Sequence, residues 1–134
     1  MSRASLSWIF YLLAAAALVL FLNARQAPVE LFKTDEERAA FMRAVGADPE
    51  TRVIALVTSW CGACRAAEDG LAEAGIPFVR LDIESNGPGA ALFERAVAAG
   101  TSRAIPKLVV GRFLVDRRDV FAAAAATGTP APAR

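Results

Sequence analysis

The hydrophobic pattern divides the chain into two unlike parts. Residues 4–22 are uncharged and nearly all apolar, broken only by Ser5 and Ser7. At about 1.5 Å rise per residue this stretch reaches roughly 28 Å as a helix, close to the hydrocarbon thickness of a bilayer. Residues 1–24 are therefore read as a transmembrane anchor, with a cleaved leader as the main alternative and a buried core helix as the lesser one. Cleavage needs small residues three before and one before the cut. Cutting after Ala24 puts Leu22 at the first of those positions, and cutting after Ala27 puts Arg25 there.

Beyond the span the pattern becomes short and periodic. Residues 25–30 hold Gln26 and Pro28 and lack helical periodicity, so they read as a linker to a folded domain over 31–126. Thr34-Asp35-Glu36-Glu37 has the spacing of a capping box, Thr34 accepting from the amide three residues on and Glu37 reaching back. Ala40, Phe41, Ala44 and Val45 then offer one apolar helix face, stopped by Gly46 and Pro49. Residues 52–58 form a β-branched run too continuous for a strand with one wet face, as in a central strand covered on both sides. A helix over 61–74 ended by Gly75 and a strand over 77–83 follow, and the right-handed crossover makes the two strands parallel. Gly87-Pro88-Gly89 breaks the chain before a helix over 90–99 closed by Gly100. Strands over 107–110 and 112–115 read as a hairpin turning near Gly111, followed by a helix over 116–126. The Pro/Ala-rich tail, 127–134, is expected to be disordered.

Composition narrows the function. The 134 residues allow one modest domain, and 55% hydrophobic content with 8 Phe and 2 Trp can fill a core. With 15 Lys and Arg against 14 Asp and Glu, the chain lacks the basic field that nucleic-acid binders use, so nucleic acid is not an expected partner. Arg3 precedes the span while Arg25, Lys33 and Arg38 follow it. That count does not favour translocation, but long C-terminal domains cross largely regardless of charge.

Both cysteines of the chain lie in Trp60-Cys61-Gly62-Ala63-Cys64. Two thiols at this spacing at a helix start can form and break a disulfide with each other. Cys61, at or just before the first helical residue, gains from unpaired amides and the helix dipole, which favour a negative sulfur. Such thiols have pKa values of roughly 3.5 to 7.5, against about 8.5 for a free cysteine. Cys64, one turn deeper, is expected to be more buried and to stay protonated until needed. A zinc site lacks ligands, because the chain has no His and no further Cys. A two-coordinate Cu(I) site needs only the two thiolates. Inert core cysteines fit poorly, since Gly62 and Ala63 leave the pair uncovered.

The order helix, strand, helix, strand, helix, strand, strand, helix, with Cys-x-x-Cys directly after the first strand, resembles the thioredoxin-like superfamily of thioredoxins and glutaredoxins. Trp60 to Arg65 is similar to the thioredoxin motif Trp-Cys-Gly-Pro-Cys-Lys, with Ala63 for proline and Arg65 for lysine. Thr58-Ser59-Trp60-Cys61 resembles the approach to the motif in some glutaredoxin-like proteins. Ile105-Pro106 falls where these families keep a cis-proline facing the active site. The resemblance implies an α/β, thioredoxin-like fold, a central mixed four-stranded sheet flanked by helices, here behind an N-terminal transmembrane helix. It implies Cys61 as nucleophile and Cys64 as resolver, with Trp60, Ile105 and Pro106 against the substrate. X-Pro bonds favour trans by only about 0.5–1 kcal/mol, so a cis Pro106 is accessible and leaves backbone groups of Ile105 for a substrate strand. Pro77 opens a strand, where a trans proline fits. No metal is expected, and no cofactor other than the redox-active Cys61–Cys64 disulfide itself.

Departures from the family refine the expectation. Many thioredoxins carry a buried aspartate six residues before the first cysteine, where this chain has Ala55. Glu68, one turn beyond Cys64, is a weak substitute and reads chiefly as a solvated side chain. Glutathione-using glutaredoxins typically have a lysine three before the first cysteine, a threonine two before the cis-proline and Gly-Gly after the hairpin. This chain has Thr58, Ala104 and Leu114-Val115 instead, which argues against tight glutathione binding. Arg103, Lys107, Arg112, Arg117 and Arg118 read as an ordinary solvated face, with steering of an acidic partner or support of the Cys61 thiolate as alternatives. The expected function is a membrane-anchored thiol-disulfide oxidoreductase that reduces protein disulfides, recharged by an upstream thiol reductant, on the non-cytoplasmic (periplasmic) side. A glutathione-linked oxidoreductase and a tethered Cu(I)-binding domain are the rival readings.

Overall fold

Val53–Val57, the centre of the apolar run, forms strand β1, and all five of its side chains are buried. Ahead of it lie α1 (Arg3–Ala24) and α2 (Asp35–Ala44). After it come α3 (Gly62–Glu73), β2 (Phe78–Asp82), α4 (Pro88–Ala98), β3 (Lys107–Val110), β4 (Phe113–Val115) and α5 (Val120–Ala126). The computed structural model describes residues 3–24 and 28–126. The tail expected to be disordered, 127–134, and linker residues 25–27 lie outside them.

The sheet runs β2-β1-β3-β4, with β2 parallel to β1 and the other neighbours antiparallel. Because successive side chains of a strand point to opposite faces, β1 feeds two cores. Val53, Ala55 and Val57 pack with Cys64 and Leu71 of α3 and Val120 and Ala124 of α5. Ile54 and Leu56 pack with Met42 of α2 and Leu92, Phe93 and Ala96 of α4. Helices on both faces explain why the run carries no polar alternation.

Several local expectations change. The buried face of α2 is Arg38 and Met42, while Ala40 and Ala44 are exposed. Arg38 turns inward because its guanidinium satisfies three backbone carbonyls: Nε donates to Gly111 O at 2.7 Å, and the two terminal nitrogens donate to Pro49 O and Thr51 O. The capping box forms with a shift. Thr34 Oγ1 accepts from the Glu37 amide at 3.0 Å, but Glu37 Oε2 accepts from Lys33 N, not from the cap residue. That bond, with Arg95 alongside, holds the Glu37 carboxyl below its ordinary range.

Pro88, read as part of a break, opens α4 at its first turn, where a missing N–H costs nothing. Gly89 beside it is close to β2, since a Cβ there would lie 2.6 Å from Asp82 O. α5 begins later than its pattern suggested, because Asp116 O accepts from the amides of Asp119 and Val120 and closes a turn first. Val29 and Glu30, read as linker, join the sheet instead: Leu114 N donates to Val29 O and Glu30 bridges Phe113. In α1 every side chain from 6 to 24 is exposed, and the helix is long and apolar enough to cross a membrane.

Candidate thiol-disulfide site

The two cysteines sit where β1 gives way to α3. Cys61 is the N-cap of α3 in extended conformation, and its Sγ accepts the Cys64 amide at 3.1 Å. Sulfur thus occupies the place that a serine or aspartate oxygen takes in an ordinary cap. The pair forms a disulfide with its Cα atoms 5.2 Å apart. Cys64 is 1% exposed and Cys61 7%, both within the core cluster of α3 and α5. The deeper position of Cys64 matches its expected place, but Cys61 is more covered than its neighbours Gly62 and Ala63, both exposed, suggested.

The surrounding loop is tied by its own polar groups. Trp60 is 67% exposed, and its indole N–H donates to Glu84 Oε1 at 2.6 Å. It is no part of the core: the indole is held by a carboxylate two residues past the end of β2. Arg65 donates to Ser59 O at 3.1 Å and fastens the same loop from the helix side. Ile105-Pro106 is a cis peptide, the only one among the described residues. Ile105 touches both cores, and with Pro106 and Ala63 it lines a groove of about 490 Å³ that continues over Lys107 and Val115 to Arg118. A second, more apolar cavity of about 380 Å³ is lined by Phe121, Ile76 and Pro77, and neither cysteine lines this cavity or the groove.

Two charged residues depart from their sequence reading. Glu68 is not a freely solvated side chain: only 18% of it is exposed, and its Oε1 lies 2.9 Å from Arg80 Nε. Arg80 is in turn the β2 partner of Ala55, the position left without an acid. The basic segment after Gly100 is not one solvated face either. Arg103 pairs with Glu94, and Arg112 pairs with Glu30 and Asp35. Lys107 is buried, with Nζ 5.5 Å from the centre of the Phe93 ring, and burial lowers its pKa. Register explains this placement: Lys107 faces the α4 side together with Val109, two residues along the same strand.

No protein-family profile and no curated protein matches the sequence. Among solved structures, a mutated buckwheat glutaredoxin superposes with a TM-score of 0.51 at 16% identity, over 73% of this chain and 98% of that one. The fold is thioredoxin-like. Buckwheat glutaredoxin in complex with glutathione (TM-score 0.47, 15% identity, 69% of this chain and 86% of that one) also matches. So does oxidised glutaredoxin 2 from Chlamydomonas reinhardtii, with a TM-score of 0.44 at 20% identity over 69% of this chain and 87% of that one. Within the domain Ile105 packs against the core cluster that holds Cys61 and Cys64, Pro106 shares a groove with Ala63, and Trp60 is exposed. Sequence reasoning missed the Trp60–Glu84 bond, the Glu68–Arg80 pair and the burial of Lys107. Of these, Lys107 left a signal, a lone charge at the start of an otherwise apolar strand.

Proposed function

We propose that the chain is a membrane-anchored thiol-disulfide oxidoreductase that reduces protein disulfides through Cys61 and Cys64. The observation that carries this reading is the N-cap position of Cys61, whose sulfur already receives an amide hydrogen bond at the start of α3. In the dithiol form the same amide and the helix dipole stabilise a Cys61 thiolate. That thiolate attacks one sulfur of a partner disulfide and expels the other as a thiolate, leaving a mixed disulfide. The Cys64 thiol loses its proton and attacks Cys61 Sγ, which closes the Cys61–Cys64 bond and releases the second partner sulfur. Two electrons pass to the partner, and an upstream thiol reductant restores the dithiol.

Trp60, Ile105 and Pro106 form the wall against which the partner lies. The apolar α1 supports anchoring, and the active domain is assigned to the non-cytoplasmic, periplasmic side. The deciding experiment is Cys64→Ser in native membranes. A protein held on Cys61, released by reductant and absent from the Cys61→Ser, Cys64→Ser double variant, is the expected result. Recovery of glutathione alone moves the protein to the glutathione-linked reading, and stoichiometric Cu(I) with no disulfide turnover moves it to metal carriage. A reduction potential well above about −200 mV makes it an oxidant or isomerase.

A further inference from the structure

The segment that enters the domain determines which end of the sheet lies nearest α1. Leu114 N donates to Val29 O, Glu30 bridges Phe113 in antiparallel register, and Leu31 N donates to Arg112 O. Followed backwards, the same register sets Pro28 beside Val115, so the chain toward α1 leaves the sheet in the direction in which β4 itself runs. β4 is antiparallel to β3 and β3 to β1, so β1 and β4 run the same way. Along that direction β1 leads out of Val57 to Trp60 and Cys61. Val115 is level with Ala55 through their common partner Leu108, and the cysteines come after Ala55 in the chain. One groove joins the two places, lined by Ala63 between the cysteines and by Val115 and Asp116 at the end of β4.

The connection is also short. Three residues, 25–27, separate Ala24 at the end of α1 from Pro28. Four Cα steps reach about 14 Å at full extension, and the headgroup layer outside the hydrocarbon takes up roughly 6 Å of that. With α1 across a bilayer, Pro28 and the Val115 end of β4 therefore lie within about 8 Å of the headgroup surface. The strand that delivers Cys61 is two strand spacings away, about 10 Å across the sheet. Trp60, 67% exposed at this end, is of the residue type that collects at membrane interfaces. The starts of β1 and β2, where Val53, Pro77 and Phe121 line the second cavity, form the opposite end.

We infer that the anchor holds the dithiol end of the domain against the bilayer, and that the partner disulfide belongs to a membrane-embedded protein and lies close to the headgroups. This rests on the anchored oxidoreductase reading. The full-length protein is placed in phosphatidylcholine vesicles beside a form with a helical spacer of about 20 residues between Gln26 and Ala27, which adds about 30 Å. Trp8→Phe leaves Trp60 as the single tryptophan, so energy transfer from it to dansyl-labelled headgroups reports its height without any thiol chemistry. Strong transfer is expected, lost with the spacer. It should exceed several-fold the transfer from Phe121→Trp in a chain that also carries Trp8→Phe and Trp60→Phe.

The wild type and the spacer form are then given one disulfide peptide, either free in solution or coupled to phosphatidylethanolamine in the same vesicles. The spacer is expected to slow reduction of the coupled peptide about tenfold and to leave the free one unchanged, because a linkage that cannot span the gap loses the gain of shared attachment. Equal reduction of the coupled peptide by both forms, or transfer from position 121 as strong as from Trp60, overturns the inference and opens the site to soluble partners. Transfer from Trp60 with reduction of neither peptide sinks the oxidoreductase reading and leaves the placement of the dithiol end standing. Protein that does not float with the vesicles sinks the anchored reading, and this inference with it.

Discussion

Burial disfavours a charged ammonium, and Lys107 is held below the ordinary lysine value of 10.5 for that reason. Between its folded pKa and 10.5 the unfolded chain binds more protons than the folded one, so stability rises with pH across that window. The gain is complete above 10.5 and is lost as pH falls through the folded value. Lys107→Met is therefore expected to be more stable than the wild type at pH 7 in urea unfolding, with the difference closing as pH approaches 10.5. A less stable variant would show that the ammonium has a partner in the folded chain. At this scale the Cys61–Cys64 disulfide was legible from spacing, because its chemistry is local, and the cis Ile105-Pro106 bond from the resemblance to thioredoxin-like proteins. Lys107 and Glu68 were not, because a charged residue is read as solvated until the register of β3 or the approach of Arg80 places it.

Elements were easier to read than their contacts. A run such as 53–57 has no polar residue to expose, so a doubly covered strand follows from composition alone. The face of α2 did not follow, since the carbonyls that draw Arg38 inward come from Pro49, Thr51 and Gly111, the last of them far along the chain. Gly89 illustrates the same limit. Read as half of a break, it is the point where α4 meets β2, with no room for a Cβ against Asp82 O. Gly89→Ala is expected to lower stability by about 2 kcal/mol, the usual cost of forcing extra volume into a packed contact. The drop appears in the urea midpoint, and a neutral result would mean that α4 slides freely over the strand.

Over the whole molecule, neither core cluster includes a residue of α1. Deleting residues 1–27 is therefore expected to leave the unfolding free energy of the remaining domain within about 0.5 kcal/mol of the full chain. The same deletion should move the protein from the membrane pellet to the soluble fraction. Loss of folding in the shortened chain would assign α1 to the domain and not to a bilayer. A last consequence belongs to the segment that enters the domain. A bare sheet edge is a template on which another chain can add a strand. Here the outer side of β4 is already occupied by the Leu114 amide's hydrogen bond to Val29 O, with Leu31 N donating to Arg112 O just before the strand, and the opposite edge, β2, carries the charged, exposed Arg80. Two copies of the domain thus meet edges that resist fusing into a shared sheet, because the residues just ahead of α2 already cover one of them.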